Sequence, residues 1–247
     1  MKLLTLIIFT ILINSTAHAL KAHTANYKLS INGFKIAEEV RTLYKLDKHY
    51  FYTANARTSG LAAFIKDYSI AASSIFSSNP QGVDAIHYQI IEKEDGKLVK
   101  NYDIDIHSKN HSIMPILTKT QSKIRTWHSK SGNIVDPLSL FLALSNDLKH
   151  NPNQSIFTYQ VTNGKSIEQH QYKRTNGHFL KINNQSIKAI KVNRINANNS
   201  NIKAYFLPKY QYLPVLIEQN KGNKRYTYTL TDLQIKNEVK DKLQVSF

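Results

Sequence analysis

The sequence predicts a mainly β protein, in which a single curved antiparallel sheet or open half-barrel of about eleven or twelve strands wraps around one central α-helix. Alternating apolar and polar residues, typical of half-buried strands, cover most of the chain. Asn-Gly and Asp-Gly pairs interrupt the alternation where hairpin turns are expected. Only residues 136–148 repeat their apolar side chains at helical spacing. A sheet of this many strands has to curl, and it would cover the single apolar helix.

The first three strands form a predicted meander. Tyr27–Ile31 alternates, and Asn32-Gly33 is the residue pair that a type I′ turn prefers. Phe34–Leu46 then runs back, and His49–Thr58 follows after a short polar turn. Residues 61–65 could add one or two helical turns before the strands resume.

Further turn pairs predict hairpins at Asp95-Gly96, Asn163-Gly164 and Asn176-Gly177. No stretch has the composition of a linker between domains, and no period of 20–50 residues recurs. We therefore expect residues 20–247 to form a single mainly β domain.

The central helix is predicted over Asp136–Leu148. Asp136 is suited to the N-cap, because its carboxylate can accept the free N–H groups of the first turn. Pro137 suits the first helical position, where its missing N–H costs nothing. One face of the helix carries Leu138, Phe141, Leu142, Ser145 and Leu148.

The first 19 residues have the pattern of a secretory signal peptide. Lys2 precedes an apolar run over Leu3–Ile13, and Ala17-His18-Ala19 has the small residues of a cleavage site. A membrane anchor is the competing interpretation, but the run is shorter than the roughly 20 apolar residues that span a bilayer. We expect cleavage after Ala19 and a periplasmic protein in the envelope of a Gram-negative bacterium.

The chain contains no cysteine, which excludes disulfides and a lipidated cysteine at the cleavage site. No later stretch is long and apolar enough to cross a membrane as a helix. We therefore expect a monomer that does not span the membrane once the signal peptide is removed, and that relies on an ordinary hydrophobic core.

The net charge is +16, from 33 basic and 17 acidic residues, and no acidic residue lies between Glu168 and Glu218. An exported protein would turn this charge toward a lipid or another anionic envelope component rather than toward nucleic acid. A solvated, lysine-rich strand face, or a genome rich in A and T, would explain it equally. The candidate basic surface consists of Lys173, Arg174, Lys181, Lys188, Lys191 and Arg194.

Several short motifs resemble an exported bacterial family, "domain of unknown function 3108". They are the strand from Tyr27 to Gly33, the Gly60 region, the helix entry Asp136–Ser139, and the late hairpin of Ala204–Pro208 and Tyr212–Val215. The resemblance spans roughly residues 25–233. It implies an all-β fold and secretion into the periplasm, and it implies no settled activity.

No motif in the sequence points to catalysis or to a cofactor, so we expect neither a catalytic residue nor a cofactor. Asp103, Asp105 and His107 have the side chains of a metal site, but an alternating strand places such residues on its outer face by default. We therefore expect no metal. His170 and His178 could meet across a hairpin at Asn176-Gly177.

The space between helix and sheet is the predicted place for a ligand. Its expected lining consists of Trp127, Leu138, Phe141, Leu142, Tyr205 and Tyr212. The first functional hypothesis is a non-catalytic binding or carrier protein for an apolar or amphipathic envelope ligand. The alternatives are a structural or assembly factor of the cell envelope and a hydrolase of envelope polymers. An open cavity there favours the first hypothesis, and a filled interface favours an assembly factor.

Overall fold

The structure is a computed structural model that describes residues 20–79, 82–107, 112–115, 125–126, 133–195, 201–236 and 241–246. The predicted signal peptide lies outside these ranges. The first group of elements is β1 (His23–Ile31), β2 (Phe34–Leu46), β3 (His49–Thr58), α1 (Leu61–Ile65), β4 (Tyr68–Asn79), β5 (Gly82–Glu94), β6 (Lys97–His107), β7 (Ser112–Pro115) and β8 (Arg125–Thr126).

The second group begins just before the long helix and contains the remaining strands. Its elements are β9 (Ile134–Val135), α2 (Leu140–His150), β10 (Ile156–Thr162), β11 (Ile167–Ile182), β12 (Gln185–Ile195), β13 (Asn201–Leu207), β14 (Leu213–Lys221), β15 (Lys224–Ile235), β16 (Asp241–Lys242) and β17 (Val245–Ser246). Among the described residues, no helix is long and apolar enough to cross a membrane.

The strands form one sheet made of two antiparallel meanders. Strands β1 to β8 pair in chain order, and so do strands β10 to β15. β1 joins the two, because it pairs with β2 on one side and with β15 on the other. β9 pairs in parallel with β10, and its Ile134 N–H donates to Asp84 of β5 at 3.4 Å. The result is a nearly closed, barrel-like sheet.

The mainly β prediction is confirmed, while the expected number of strands and the single helix are not. Seventeen strands are described, of which four have only two residues and thirteen have four or more. A second helix, α1, lies on the outside and buries none of its residues. The count is higher than expected because short strands near the edges extend the sheet toward closure, and an alternating pattern cannot reveal two-residue strands.

The turn at Asn32-Gly33 is confirmed: both residues have positive φ, 50° and 88°, as a type I′ turn requires. The predicted hairpin at Asn176-Gly177 is wrong. Strand β11 continues through it with a bulge, where Gly177 takes a φ of 83°. The chain reverses later, at Asn183-Asn184. His170 and His178 therefore lie along one strand and do not face each other across a hairpin.

The long helix is buried inside the barrel, against β5, β10 and β14. It runs over Leu140–His150 with Ser139 at its N-cap, so it begins and ends later than the predicted Asp136–Leu148 and is not capped at Asp136. Asp136 instead closes the turn that precedes the helix. The Asp136 carboxylate is fully buried and accepts the N–H groups of Leu138 at 2.8 Å and Ser139 at 2.9 Å. It also accepts the hydroxyl of Ser74 on β4 at 2.5 Å and that of Ser139 at 2.7 Å. Burial raises the pKa of Asp136, although all these hydrogen bonds lower it.

Replacing Asp136 tests whether this carboxylate holds the helix in place. We expect Asp136→Ala to lower the free energy of unfolding by about 3 kcal/mol, because buried donors on two elements lose their acceptor. Asp136→Asn should cost about 1 kcal/mol or less, since its amide oxygen still accepts the two N–H groups and hydroxyls can rotate to accept from its amide. Urea unfolding measures both. Equal midpoints for Asp136→Ala and the wild type would contradict the assignment.

Gly164, in the β10–β11 turn, packs against β6 across the barrel. A Cβ on Gly164 would lie 2.5 Å from Cδ1 of the fully buried Ile104, whereas one on Gly177 would meet open space. Both glycines have a positive φ, near 85°. We therefore expect Gly164→Ala to cost about 1–3 kcal/mol more than Gly177→Ala, which shares the backbone strain without the overpacking. Thermal or urea unfolding of the two variants provides the comparison, and equal losses would refute the close packing.

Candidate binding cavity beside the buried helix

A cavity of about 320 Å³ separates α2 from the sheet. It is partly open to solvent and is bounded by the start of the helix, by β10 and β11 on one side, and by β13, β14 and β15 on the other. Its lining residues are Arg41, Pro137, Leu140, Phe141, Val161, Asn163, Ser166, Glu168, His170, Tyr172, Ile202, Ile217, Gln219 and Tyr228.

One part of the cavity wall is apolar. Leu140 and Phe141 contribute from the helix, Val161 from β10, and Ile202 and Ile217 from β13 and β14. Phe141 is half-buried, although the residues around it on α2 are buried. The partial exposure follows from the cavity, because Phe141 lines a space that no side chain of the described residues fills.

The other part is polar and comes mainly from β11. Glu168, His170 and Tyr172 alternate along this strand and share one face. Arg194 lies directly opposite Tyr172 on β12. The Glu168 carboxylate is 3.2 Å from Nε2 of His170 and 3.6 Å from Nη2 of Arg194, and it accepts the Ser166 hydroxyl at 3.1 Å.

Three buried polar atoms in this group have no hydrogen-bond partner within the described part of the chain. They are the Tyr172 hydroxyl, Nδ1 of His170 and Nε of Arg194. A buried polar atom that lacks a partner costs about 1–3 kcal/mol, so folded proteins rarely leave several together. Tyr172 and His170 line the cavity, while Arg194 contacts Glu168 and lies opposite Tyr172. The unpaired atoms of the two lining residues indicate a place where a ligand or ordered water completes the hydrogen bonds.

The protonation states define what these atoms offer. Burial, with a further contribution from Arg194, lowers the pKa of His170 despite the opposing effect of Glu168. The imidazole is therefore neutral at pH 7, and its proton lies on Nε2, because the Glu168 carboxylate can only accept. Nδ1 is then an acceptor. Burial raises the pKa of Tyr172 to about 12, so its hydroxyl keeps its proton and can donate.

A second cavity of about 230 Å³ lies further along the barrel interior, between β1, β2, β3, β4 and β15. Tyr228 lines both cavities. On β2, Ala37 lines the second cavity and Arg41 lines the first, so Glu39 lies between them on the same strand face.

Glu39 forms an ion pair with Arg41 whose side chains are only 9% and 8% exposed. The Arg41 guanidinium also lies over the rings of Tyr27, at 4.8 Å from the centroid, and Tyr228, at 5.8 Å. Burial lowers the pKa of Arg41, but the Glu39 carboxylate, with further contributions from Tyr52 and Tyr27, more than offsets this and raises it above its usual range. Arg41 therefore stays charged, and its ion pair with Glu39 stands where the two cavities approach each other.

The family model of the "Protein of unknown function (DUF3108)" matches residues 26–231. The chain belongs to the DUF3108 family. This confirms the resemblance that the short motifs predicted.

The fold of this DUF3108 protein is similar to a crystal structure described as a β-barrel-like protein of domain of unknown function DUF1849 from Brucella abortus. The TM-score is 0.57 at 11% sequence identity, over 89% of this chain and 99% of the other. At that identity the likeness concerns the fold alone. A search of curated proteins found no match.

In this DUF3108 protein, the residues predicted to line a cavity are distributed more widely than expected. Phe141 lines the 320 Å³ cavity, while Leu142 lines a much smaller one of about 20 Å³ on the other side of the helix. Leu138 and Tyr205 are buried and line neither the 320 Å³ cavity nor the 230 Å³ cavity. Ile202 faces the first cavity, so strand alternation turns Tyr205, an odd number of residues later, to the opposite face.

The other two predicted lining residues are Tyr212 and Trp127. Tyr212, a half-buried residue packed against the core, is not in the lining of the 320 Å³ cavity. Trp127 lies outside the described residues. Of the predicted lining residues that the structure describes, Phe141 alone lines this cavity.

The predicted basic surface divides into two groups. Lys173, Lys181 and Lys188 are exposed. The other three residues make contacts within the protein: Arg174 donates to the Pro152 carbonyl and to Asn176, Lys191 lies over the Tyr205 ring, and Arg194 faces Glu168 at the cavity.

Two of the possible metal ligands on β6 contact a histidine of the neighbouring strand β5. Asp103 and Asp105 both approach His87 of β5, at 3.3 and 2.9 Å. Within the described residues, no three His, Asp or Glu side chains are placed to hold a metal ion.

Sequence reasoning missed Arg41, Glu168, Tyr172 and the role of His170. A usable signal existed on β2, where Ala37, Glu39, Arg41 and Leu43 occupy the inward positions. Two opposite charges at successive inward positions indicate a buried ion pair, because isolated charges are excluded from a core. On β11 the residues that alternate with Glu168, His170 and Tyr172 include Gln169 and Gln171, so a polar pattern on both faces did not show which face points inward.

A double-mutant cycle tests the buried ion pair of this DUF3108 protein. We expect Glu39→Met and Arg41→Met each to lower the free energy of unfolding by about 3–5 kcal/mol, because each leaves an unpaired buried charge. The double variant should lose less than either single variant, since both charges are then gone. Urea unfolding gives the coupling free energy. Additive losses would contradict a mutually dependent pair.

Proposed function

We propose that this DUF3108 protein is a secreted, periplasmic protein that binds or carries an apolar or amphipathic ligand of the Gram-negative cell envelope, without catalysing a reaction. The observation that carries the proposal is the cavity between α2 and the sheet, in which an apolar wall faces a group of unpaired polar atoms. Neither the family nor the DUF1849 structure contributes an activity.

The cavity supports an amphipathic ligand more than a purely polar one. Its volume of about 320 Å³ lies at the lower end of the roughly 300–1,000 Å³ of small-molecule sites. An alkyl chain or ring would contact Phe141, Ile202 and Ile217. A head group with an acceptor and a donor would satisfy the Tyr172 hydroxyl and Nδ1 of His170, which both belong to lining residues.

The proposed location in the cell envelope rests on the sequence of the first 19 residues. The basic, apolar and small-residue segments of residues 1–19 have the order of a signal peptide, and the chain contains no cysteine. In the periplasm, the exposed lysines Lys173, Lys181 and Lys188 would face anionic lipids or polymers. We propose that the protein acts there as a monomer.

The cavity also bears on the assembly-factor alternative. A protein that works only through its outer surface gains stability from a filled core, because empty interior space removes packing contacts. An interior cavity that also leaves polar atoms unpaired is costly unless it is used. This cost favours a ligand-binding role.

The polar wall is poorly suited to hydrolysis. Ser166, Glu168 and His170 include the side chains of a nucleophilic site, but the carboxylate stands between the hydroxyl and the imidazole. A serine nucleophile needs a base that takes its proton. The hydrogen bond from His170 lowers the pKa of Glu168, which makes this carboxylate a weak base. We therefore propose binding without chemistry.

Binding is tested with delipidated protein and the fluorescent fatty acid dansyl-undecanoate. We expect saturable fluorescence enhancement for the wild type. Ile202→Trp should remove it by filling the cavity, while Phe179→Trp, at an exposed position on β11, should leave it unchanged. A wild type without saturable binding, or equal binding by Ile202→Trp, would overturn the proposal.

Two tyrosine substitutions separate binding from stability. Tyr172→Phe removes an unpaired buried hydroxyl, so it should leave the free energy of unfolding equal or higher and weaken binding of the probe roughly five- to tenfold. Tyr159→Phe removes a hydroxyl that donates to Asp147 at 2.5 Å, so it should cost about 1.5–3 kcal/mol of stability and leave binding intact. The opposite pattern would show that the Tyr172 hydroxyl serves stability alone.

A further inference from the structure

Among the described residues, the four most exposed large apolar side chains lie at one end of the barrel. Leu61, Phe64 and Ile65 of α1 are 83%, 90% and 87% exposed, and Phe34 of β2 is 78% exposed. Leu98 and Val99 of β6 add two more exposed apolar residues beside the β5–β6 turn. We call these six residues the apolar tip.

Hydrogen bonds between neighbouring loops hold the segments of the apolar tip together. The Ser59 N–H, just before α1, donates to the Ile36 carbonyl of β2 at 3.0 Å. After α1, the N–H of Asp67 donates to the Asp95 carboxylate at 3.1 Å, and the N–H of Asp95 donates to the Asp67 carbonyl at 2.7 Å. The helix, the β1–β2 hairpin and the β5–β6 hairpin therefore form one surface.

The exposure of α1 comes from its attachment to the barrel through polar and backbone groups. Arg57 and Asp67, which flank the helix, form a two-contact ion pair at 2.8 and 3.1 Å. The Thr58 hydroxyl donates to the Lys66 carbonyl at 3.0 Å. No residue of α1 is buried. The apolar side chains of the helix are thus held outward, where they add nothing to the hydrophobic core.

An exposed apolar group of this size marks an interaction site, and the charges around it favour one partner. The β14–β15 turn reaches the same end, because the Asn32 side chain accepts the Arg225 N–H at 2.8 Å. On either side of this turn, Lys221 and Lys224 make no ion pair within the described residues. Apolar side chains bordered by unpaired lysines complement the anionic face of a lipid bilayer.

The second cavity adjoins the apolar tip. Its lining includes Ile36, Thr58 and Tyr68, which lie next to the tip residues along β2, β3 and β4. Contact of the tip with a bilayer would bring this mostly apolar cavity close to the lipid.

We infer that the apolar tip docks this protein on an anionic lipid bilayer, with Phe34, Leu61, Phe64 and Ile65 inserted among the head groups. The inference rests on the outer surface of the barrel. It holds whether or not the cavity beside α2 binds a ligand.

The first test measures sedimentation of the purified protein with vesicles of phosphatidylethanolamine and phosphatidylglycerol. Because membrane affinity grows with the inserted apolar area, Phe64→Ser/Ile65→Ser should lower the partition coefficient roughly tenfold or more. Phe179→Ser, a matched loss of an exposed Phe outside the tip, should leave it unchanged. Lys221→Glu/Lys224→Glu should also weaken binding, whereas Lys181→Glu/Lys188→Glu should do so by less than twofold.

A second test locates the inserted surface directly. The chain has no cysteine, so Ile65→Cys and Phe179→Cys each accept a single environment-sensitive nitrobenzoxadiazole label. We expect a blue shift and brighter emission on vesicles for the label at position 65 only. Vesicles of phosphatidylcholine alone should give a smaller effect.

Several results would overturn the inference. The first is that the wild type does not bind anionic vesicles. The second is that Phe64→Ser/Ile65→Ser and the wild type partition equally. The third is that a label at position 179 responds more strongly than one at position 65. Self-association of the wild type that Phe64→Ser/Ile65→Ser abolishes, measured by light scattering without vesicles, would assign the tip to a second copy of the chain instead. Dansyl-undecanoate binding by the same variants keeps this outcome separate from the cavity proposal.

Discussion

A buried carboxylate holds the helix inside the barrel. Asp136 accepts hydrogen bonds from the backbone at the start of α2 and from Ser74 on β4, so one side chain ties the helix to the first group of strands. The body of the helix packs against β5 of the first group and against β10 and β14 of the second. The Asp136 hydrogen bonds and this packing together place α2 between the two meanders and leave the space beside Phe141.

The helix fills only part of the barrel interior. Among the described residues, the space beside it includes the cavities of about 320 and 230 Å³, and the Glu39–Arg41 ion pair stands where these two approach each other. A buried ion pair contributes little net stability, but removing either partner is costly. Such a pair holds its position firmly. It therefore separates a largely apolar space near the exposed helix α1 from one that has a polar wall at His170 and Tyr172.

The stability of the barrel does not depend on the cavity or on the apolar tip. The unpaired polar atom at Tyr172 opposes folding, the exposed side chain of Phe64 contributes nothing to the core, and hairpins and core packing elsewhere provide the stability. Departures from local consistency of this kind concentrate at functional sites. They are the observations from which we proposed ligand binding in the cavity and docking of the apolar tip on a lipid bilayer. The likeness to the DUF1849 structure extends to the barrel alone.

Local sequence signals determined the mainly β class, the turn at Asn32-Gly33, the backbone hydrogen bonds that Asp136 accepts just before the helix, and the family. Each depends on φ preference, strand alternation or helical spacing within a few residues. Tertiary structure alone decided that Asn176-Gly177 forms a bulge, that Arg194 faces Glu168, and that the apolar residues of α1 remain outside the core. These outcomes depend on strand register and on contacts between residues far apart in the chain. Neither can be inferred from residues that are neighbours in the sequence.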